Sequence, residues 1–270
     1  MDYQISDKDF KMYVKLVYDR TGIVLNDDKK QLLQSRVNKI LRKREIPGYA
    51  AYFELLKNDK SGQELTDFID LISTNVTQFF REEKHFEFLR NVWFPNYDFK
   101  HSSTVRVWCA AASTGEEPYS LSMTLRELLG DKYPFDIYCS DISTRVLKHA
   151  QRGVYSTKGT EGIGKDLLKK YFLEGKGNSA GYIKVKPIIA KHVNFHQVNL
   201  IEPFRVPHHF DLVFCRNVMI YFDLKTKESI VNRFYDVMLR NSYLFIGHSE
   251  SLNGMTHPFQ YVQPATYKKV

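Results

Sequence analysis

The chain has no stretch near the roughly 18 consecutive apolar residues that a membrane-spanning helix needs. Its opening MDYQISDKDF lacks a basic segment followed by an apolar one. Neither a spanning anchor nor a secretory signal is expected, and the expected location is cytoplasmic. Cysteine is scarce: Cys109, Cys139 and Cys215 lie in or at the end of apolar runs, without the CxxC spacing of zinc or redox sites. Buried reduced thiols and no metal site are expected. There is no internal repeat and no low-complexity segment, which excludes a repeat array.

Acidic residues are outnumbered, 31 against 39 Lys+Arg, for a formal net charge of +8. That balance suits an acidic partner without choosing among nucleic acid, membrane surface and protein. Residues 1–75 hold 13 basic and 12 acidic residues, yet the seven basic ones between Lys29 and Arg44 have no acid among them. With 43% hydrophobic residues and 14% aromatic, 270 residues suffice for a substantial core in one large or two unequal domains.

The first 75 residues carry no strand pattern. Ser6 and Asp9 form a capping box ahead of Phe10, Val14 and Val17, and Gly22 ends that helix. A second helix is expected over Asp27–Arg44, with Leu33, Val37, Ile40 and Leu41 on one stripe and Arg36, Lys39 and Lys43 opposite. Two more follow, at Tyr49–Lys57 and Glu64–Ile72. Beyond residue 75, apolar strands alternate with amphipathic segments, the pattern of a mostly parallel sheet flanked by helices. Strands are expected at Val105–Ala110, Phe135–Ser140, Val193–Val198, Leu212–Cys215 and Tyr243–Ile246, with a last pair in FQYVQPATYKKV. Gly-rich turn chemistry in GKGNSAGYIKVKP marks a small antiparallel insertion over 154–192.

The stretch VRVWCAAASTGEEPYSLSM, Val105 to Met123, reads as strand, tight turn and helix. Open α/β sheets bind ligands at the carboxyl ends of such strands, and the small residues Ala110 to Gly115 leave room for one to approach the backbone. Glu116 and Glu117 would repel a diphosphate and attract an ammonium or sulfonium group. The same two acids with Pro118 equally complement a helix dipole. Asp141 ends the second strand, where an acid accepts both ribose hydroxyls of an adenosine or, alternatively, caps the next helix. Together these features favour S-adenosylmethionine over NAD or ATP.

AAASTGEEPYS, SDIS, VNL, FDLVFCRNVMIYF and GHSES, in this order, closely resemble the chemotaxis receptor glutamate O-methyltransferases, the CheR family. STNVTQFFRE is similar to that family's segment between its two domains. The resemblance implies an all-α domain over 1–75, and an α/β, Rossmann-like methyltransferase domain over 76–270 carrying a small antiparallel β-subdomain at 154–192. It implies cofactor contacts at Asn75, Thr77, Arg81, Glu117, Asp141, Asn199, Leu200, Arg216 and Asn217, with Arg81 and Tyr221 near the chemistry. Glu116 remains open as the acid facing the cofactor. The implied reaction moves a methyl group from S-adenosylmethionine to chemoreceptor glutamates, leaving methyl esters and S-adenosylhomocysteine. The implied enzyme is a cytoplasmic monomer recruited to receptor arrays, with neither nucleic acid nor membrane insertion.

Arg36, Lys39, Arg42 and Lys43 are the candidate receptor-docking residues, with a solvated helix face as the alternative. GYIKVKP is expected to offer a sheet edge to a receptor tail. For Arg81 the alternative is a salt bridge with Glu82 or Glu83, and for Tyr221 a place in the core. His248, Ser249 and Glu250 are consecutive, which argues against a hydrolytic triad. A nucleic-acid methyltransferase is the alternative class, separable by the strong salt dependence of phosphate contacts. A non-catalytic receptor-binding module is a further alternative, opposed by the intact set of Arg81, Glu117, Asp141, Arg216 and Asn217.

Overall fold

A computed structural model describes residues 3–72, 75–99 and 103–270. They divide into two compact units. Residues up to Ile72 together with Tyr221–Lys227 form one, and Asn75–Ile220 with Glu228–Val270 the other.

The first unit is all helical. In α1, Asp7–Thr21, the Ser6 hydroxyl accepts the Asp9 N–H at 3.0 Å and donates to the Asp9 carboxylate at 2.6 Å, so two otherwise unpaired groups at the helix start are satisfied. The expected second helix begins as a 3₁₀ turn, Asp27–Lys29, and becomes α2 only over Lys30–Lys43. α3 spans Tyr49–Asn58 and α4 Gln63–Ile72. Tyr13, Val17, Val37, Tyr52 and Phe68 are buried together, with the Tyr13 hydroxyl donating to the Tyr49 carbonyl at 2.8 Å. Leu33, Val37 and Leu41 place one face of α2 in this core, while Lys39, Arg42 and Lys43 are exposed. Arg36 departs from the expected cationic stripe: it is half-buried and donates to the Leu71 carbonyl at 2.9 Å. Tyr221–Lys227 joins this unit through Val24 N–H to the Tyr221 carbonyl, 2.8 Å, and the Tyr18 hydroxyl to Asp223, 2.6 Å.

The second unit opens with α5, Lys84–Phe88, which runs through a π-helical stretch, Leu89–Trp93, into α6, Phe94–Asn96. Strands β1 Val105–Cys109, β2 Phe135–Asp141, β6 Val193–Gln197, β7 Phe210–Cys215, β8 Met238–Ile246, β9 Gln260–Gln263 and β10 Thr266–Lys268 form one sheet, ordered β6-β2-β1-β7-β8-β10-β9. β6 through β8 pair in parallel, and β8, β10 and β9 pair antiparallel, so the terminal run folds as a hairpin. All six residues of β7 are buried, as a central parallel strand covered on both faces requires. α7 Glu116–Leu129, α8 Thr144–Arg152, α9 Lys165–Tyr171, α10 Pro187–Ala190 and α11 Leu224–Asp236 complete the helices. Trp108 is fully buried with its indole N–H on the Ser140 hydroxyl at 2.9 Å, and all three cysteines are free and buried.

The insertion is a three-stranded antiparallel sheet of β3 Val154–Ser156, β4 Phe172–Glu174 and β5 Tyr182–Val185, in the order β3-β5-β4. This corrects one expectation. Tyr182–Val185, the strand within GYIKVKP, is the middle strand and bonds on both sides, so the free edges belong to β3 and β4. No helix among the described residues is long and apolar enough to cross a membrane.

Candidate active site

The carboxyl ends of β1, β2 and β7 meet the segment before α5, and most of the expected site residues lie there. Past β1, the chain turns through Ala110–Gly115 into α7. Gly115 sits at φ +99°, and a Cβ on it would lie 2.7 Å from the Tyr155 hydroxyl and 2.8 Å from the Ala150 methyl. The glycine is therefore required by the packing of α8 and β3 on the turn.

Ser113 ties three segments together. Its N–H donates to Asp141 Oδ2 at 2.9 Å and its hydroxyl to the Asn75 carbonyl at 3.1 Å. Asp141 Oδ1 accepts the Ser143 N–H at 2.9 Å, while the Ser143 hydroxyl accepts from Val146 and caps α8. Asp141 is thus not the capping residue; it is a carboxylate fixed at the mouth of the β1–α7 turn.

A second knot surrounds Arg216, which follows β7 and is 5% exposed. Its guanidinium donates to Glu117 Oε2, to the Arg81 carbonyl and, at 3.1 Å, to Glu82 Oε2. Glu117 is 8% exposed, and its other oxygen accepts from the Cys109 thiol at 3.2 Å. Glu116 instead accepts from the Thr114 hydroxyl at 2.6 Å, and burial pushes its carboxyl up. Glu82 also accepts from the Asn217 amide at 3.1 Å and the His248 N–H at 3.1 Å. Burial pushes the Glu82 carboxyl up, but the Arg216 charge and the Asn217 and Arg216 hydrogen bonds outweigh it and hold it below the usual range. The Arg216 guanidinium is raised in turn: burial lowers it, and the Glu117 and Glu82 carboxylates more than compensate. Glu250 accepts the backbone N–H groups of Asn217, Ile220 and Gly247 at 3.0, 3.2 and 2.6 Å, and burial pushes its carboxyl up.

The backbone here is strained. Phe80, Glu82, Ser113 and Asn217 adopt positive φ of 53°, 59°, 48° and 57°, a region that costs non-glycine residues free energy and clusters at functional sites. Hydrogen bonds from the Phe80 N–H to the Ser120 hydroxyl, 2.9 Å, and from Arg216 to the Arg81 carbonyl hold the segment in place.

The remaining candidates are less tightly gathered. Asn75 and Thr77 are half-buried, and the Arg81 guanidinium donates to the Val76 carbonyl at 3.0 Å. Neither expected salt bridge to Arg81 forms: Glu82 takes Arg216, and Glu83 lies 3.7 Å from Arg90. Leu200 is buried after β6, and Asn199 bonds to Glu202 at 3.3 Å. Tyr221 ends a 3₁₀ turn, Met219–Tyr221, and groups with the helical unit. Sequence reasoning missed Glu82 as a hub, with Glu250, His85 and His248 beside it. The spare acids in FFREE and GHSES were the available signal.

The model described as "CheR methyltransferase, all-alpha domain" matches residues 8–73, and "CheR methyltransferase, SAM binding domain" matches residues 75–268. The chain belongs to the CheR methyltransferase family. It is similar to the chemotaxis protein methyltransferase of Borreliella burgdorferi, at 38% identity over 277 residues covering 100% of this chain and 96% of that one. To the chemotaxis protein methyltransferase of Salmonella typhimurium it is 38% identical over 257 residues, covering 94% of this chain and 88% of the other. The protein is an S-adenosylmethionine-dependent chemotaxis methyltransferase with an all-α domain, a Rossmann-like sheet and a small β-subdomain.

The donor set fits that cofactor. Glu82 and Glu117 against the single Arg216 leave an excess of negative charge, which suits a sulfonium and an ammonium and opposes a pyrophosphate. The buried Arg216 Nε has no partner among the described residues and remains a donor for an anionic group.

Proposed function

We propose that this methyltransferase esterifies glutamate side chains of chemoreceptors, giving glutamyl methyl esters and S-adenosylhomocysteine. The observation that carries the reading is the carboxyl end of the sheet, where Glu82 and Glu117 are fixed around Arg216. Glu250 is bound by three backbone N–H groups, which leaves it no part in a His–Ser relay. A glutamate of pKa about 4.3 is already an anionic nucleophile at neutral pH, so no general base is needed. When bound, S-adenosylmethionine supplies an electrophilic methyl group whose bond to sulfur breaks with the electron pair remaining on sulfur. The chain's own task is alignment, catalysis by proximity and orientation.

In this account Asp141 takes the ribose, Asn199 and Leu200 flank the adenine, and Asn75, Thr77, Glu117, Arg216 and Asn217 hold the amino-acid portion. Arg81 orients the incoming carboxylate and Tyr221 lies beside the methyl group. Lys39, Arg42 and Lys43, exposed on α2, meet the acidic helical surface of the receptor's cytoplasmic domain, and Arg36 supports that helix from within. A receptor tail would pair with an edge of β3 or β4. Such an enzyme works in the cytoplasm as a monomer at receptor arrays.

The test is transfer of labelled methyl to receptor-containing membranes, followed by mild alkali and collection of methanol. Alkali-labile, volatile label that falls at least tenfold in Arg81→Ala is the expected result. Alkali-stable label contradicts carboxylate methylation.

A further inference from the structure

Glu82 lies outside the set of residues to which the family resemblance gives a role, yet its carboxylate gathers three donors at the site. Its carboxylate accepts from Arg216, Asn217 and the His248 N–H, groups that follow β7 and β8, while its own backbone is held at φ +59°. Glu82, His85 and His248 could be taken for metal ligands, since their donor atoms lie within 4.8 Å of one another. The guanidinium of Arg216, 3.1 Å from Glu82, already fills the place of a cation among them.

The charge count is what matters. Glu117 and Glu82 flank one guanidinium, and that trio carries a net charge of one negative. With Glu82 neutral, Glu117 and Arg216 would cancel. S-adenosylmethionine and S-adenosylhomocysteine share every group except the methyl on sulfur, and the first carries one more positive charge. A fixed negative charge in a half-buried position separates two such ligands, whereas hydrogen bonds to their common parts do not.

We propose that Glu82 is a specificity-determining residue: by leaving the Glu82–Arg216–Glu117 trio one charge short of neutral, it favours the sulfonium cofactor over the neutral product. Glu117 alone could not do this, because Arg216 would neutralise it. The inference rests on the cofactor lying at this end of the sheet.

The test is calorimetric titration of both ligands into the full chain. Glu82→Gln keeps the shape and removes the charge. Its affinity for S-adenosylmethionine is expected to fall about tenfold while that for S-adenosylhomocysteine stays within about twofold. Glu82→Ser, neutral and too short to press on Asn217, shifts the ratio in the same direction should the Gln variant fold poorly. Glu82→Asp keeps the charge and keeps the wild-type ratio, whatever it does to the two affinities. Equal losses for both ligands in the neutral variants, or no loss for either, overturn the inference. Asp141→Asn separates the two levels of the argument: it weakens both ligands alike where the cofactor is placed correctly, and a variant that binds both as wild type does removes that placement.

Discussion

The two ends of the central sheet each hold a carboxylate withdrawn from water, and they treat it differently. At the amino end of β7, Asp211 accepts from the Tyr97 hydroxyl at 2.7 Å and the Arg106 N–H at 2.8 Å, and burial prevails and raises its carboxyl. At the carboxyl end, Glu82 meets the Arg216 charge and is held low. Asp211 joins the start of β1 to the chain before it through neutral donors, and its backbone is unstrained. Glu82 is ionised, strained and shared among segments distant in sequence. The comparison teaches that withdrawal from water alone raises a carboxylate, and that a fixed counter-charge is what holds one ionised there.

The largest expected effect comes from removing the counter-charge. Arg216→Met leaves Glu82 and Glu117 without their counter-charge, and stability should drop by about 3–5 kcal/mol, read by denaturant unfolding. A loss below about 1 kcal/mol would mean that the two acids find other partners. Asp211→Ala leaves the Arg106 N–H and Tyr97 hydroxyl without their acceptor at the other end and should cost about 1–3 kcal/mol with unchanged cofactor affinity. Weakened cofactor binding there would erase the distinction between the two ends.

His85 sharpens the comparison through pH. It is fully buried beside Phe245 and His248, neither ring nitrogen has a hydrogen-bond partner among the described residues, and burial, reinforced by the Arg216 charge, pushes it down to about 3. Unfolded, it titrates near 6.5, so its contribution to stability is complete above that pH and is lost as pH falls toward 3. Glu82, also held low, acts in the same direction at more acid pH. His85→Phe should therefore flatten the acid limb of the stability profile, removing up to about 1.4 kcal/mol per pH unit between about pH 6 and 4. It should leave neutral-pH stability equal or higher. An unchanged acid limb would mean that His85 takes up its proton alike in the folded and unfolded chain. The smallest effect belongs to the helical unit: Lys39→Gln with Lys43→Gln should raise the receptor KM about two- to fivefold at low salt and leave it unchanged at high salt.

Much of this was legible in sequence for physical reasons. β7 was found because a parallel strand covered on both faces is apolar throughout, and the Ser6–Asp9 box because capping is local. The missed features depend on distance. Glu82 meets Arg216 across 134 residues, and no local pattern announces that pairing. Whether a strand lies at an edge depends on its partners, which is how Tyr182–Val185 was misplaced. The same holds for Gly115, whose need for a missing side chain comes from Tyr155 and Ala150.

The most direct test of the central claim, that the carboxyl end of the sheet binds the cofactor, is a calorimetric titration of S-adenosylmethionine into Asp141→Asn and Asp211→Asn side by side. The account predicts a loss of about 10- to 100-fold in the first, as expected for a hydrogen bond to a charged group, and wild-type affinity in the second. Wild-type affinity in Asp141→Asn, or a loss confined to Asp211→Asn, would contradict it.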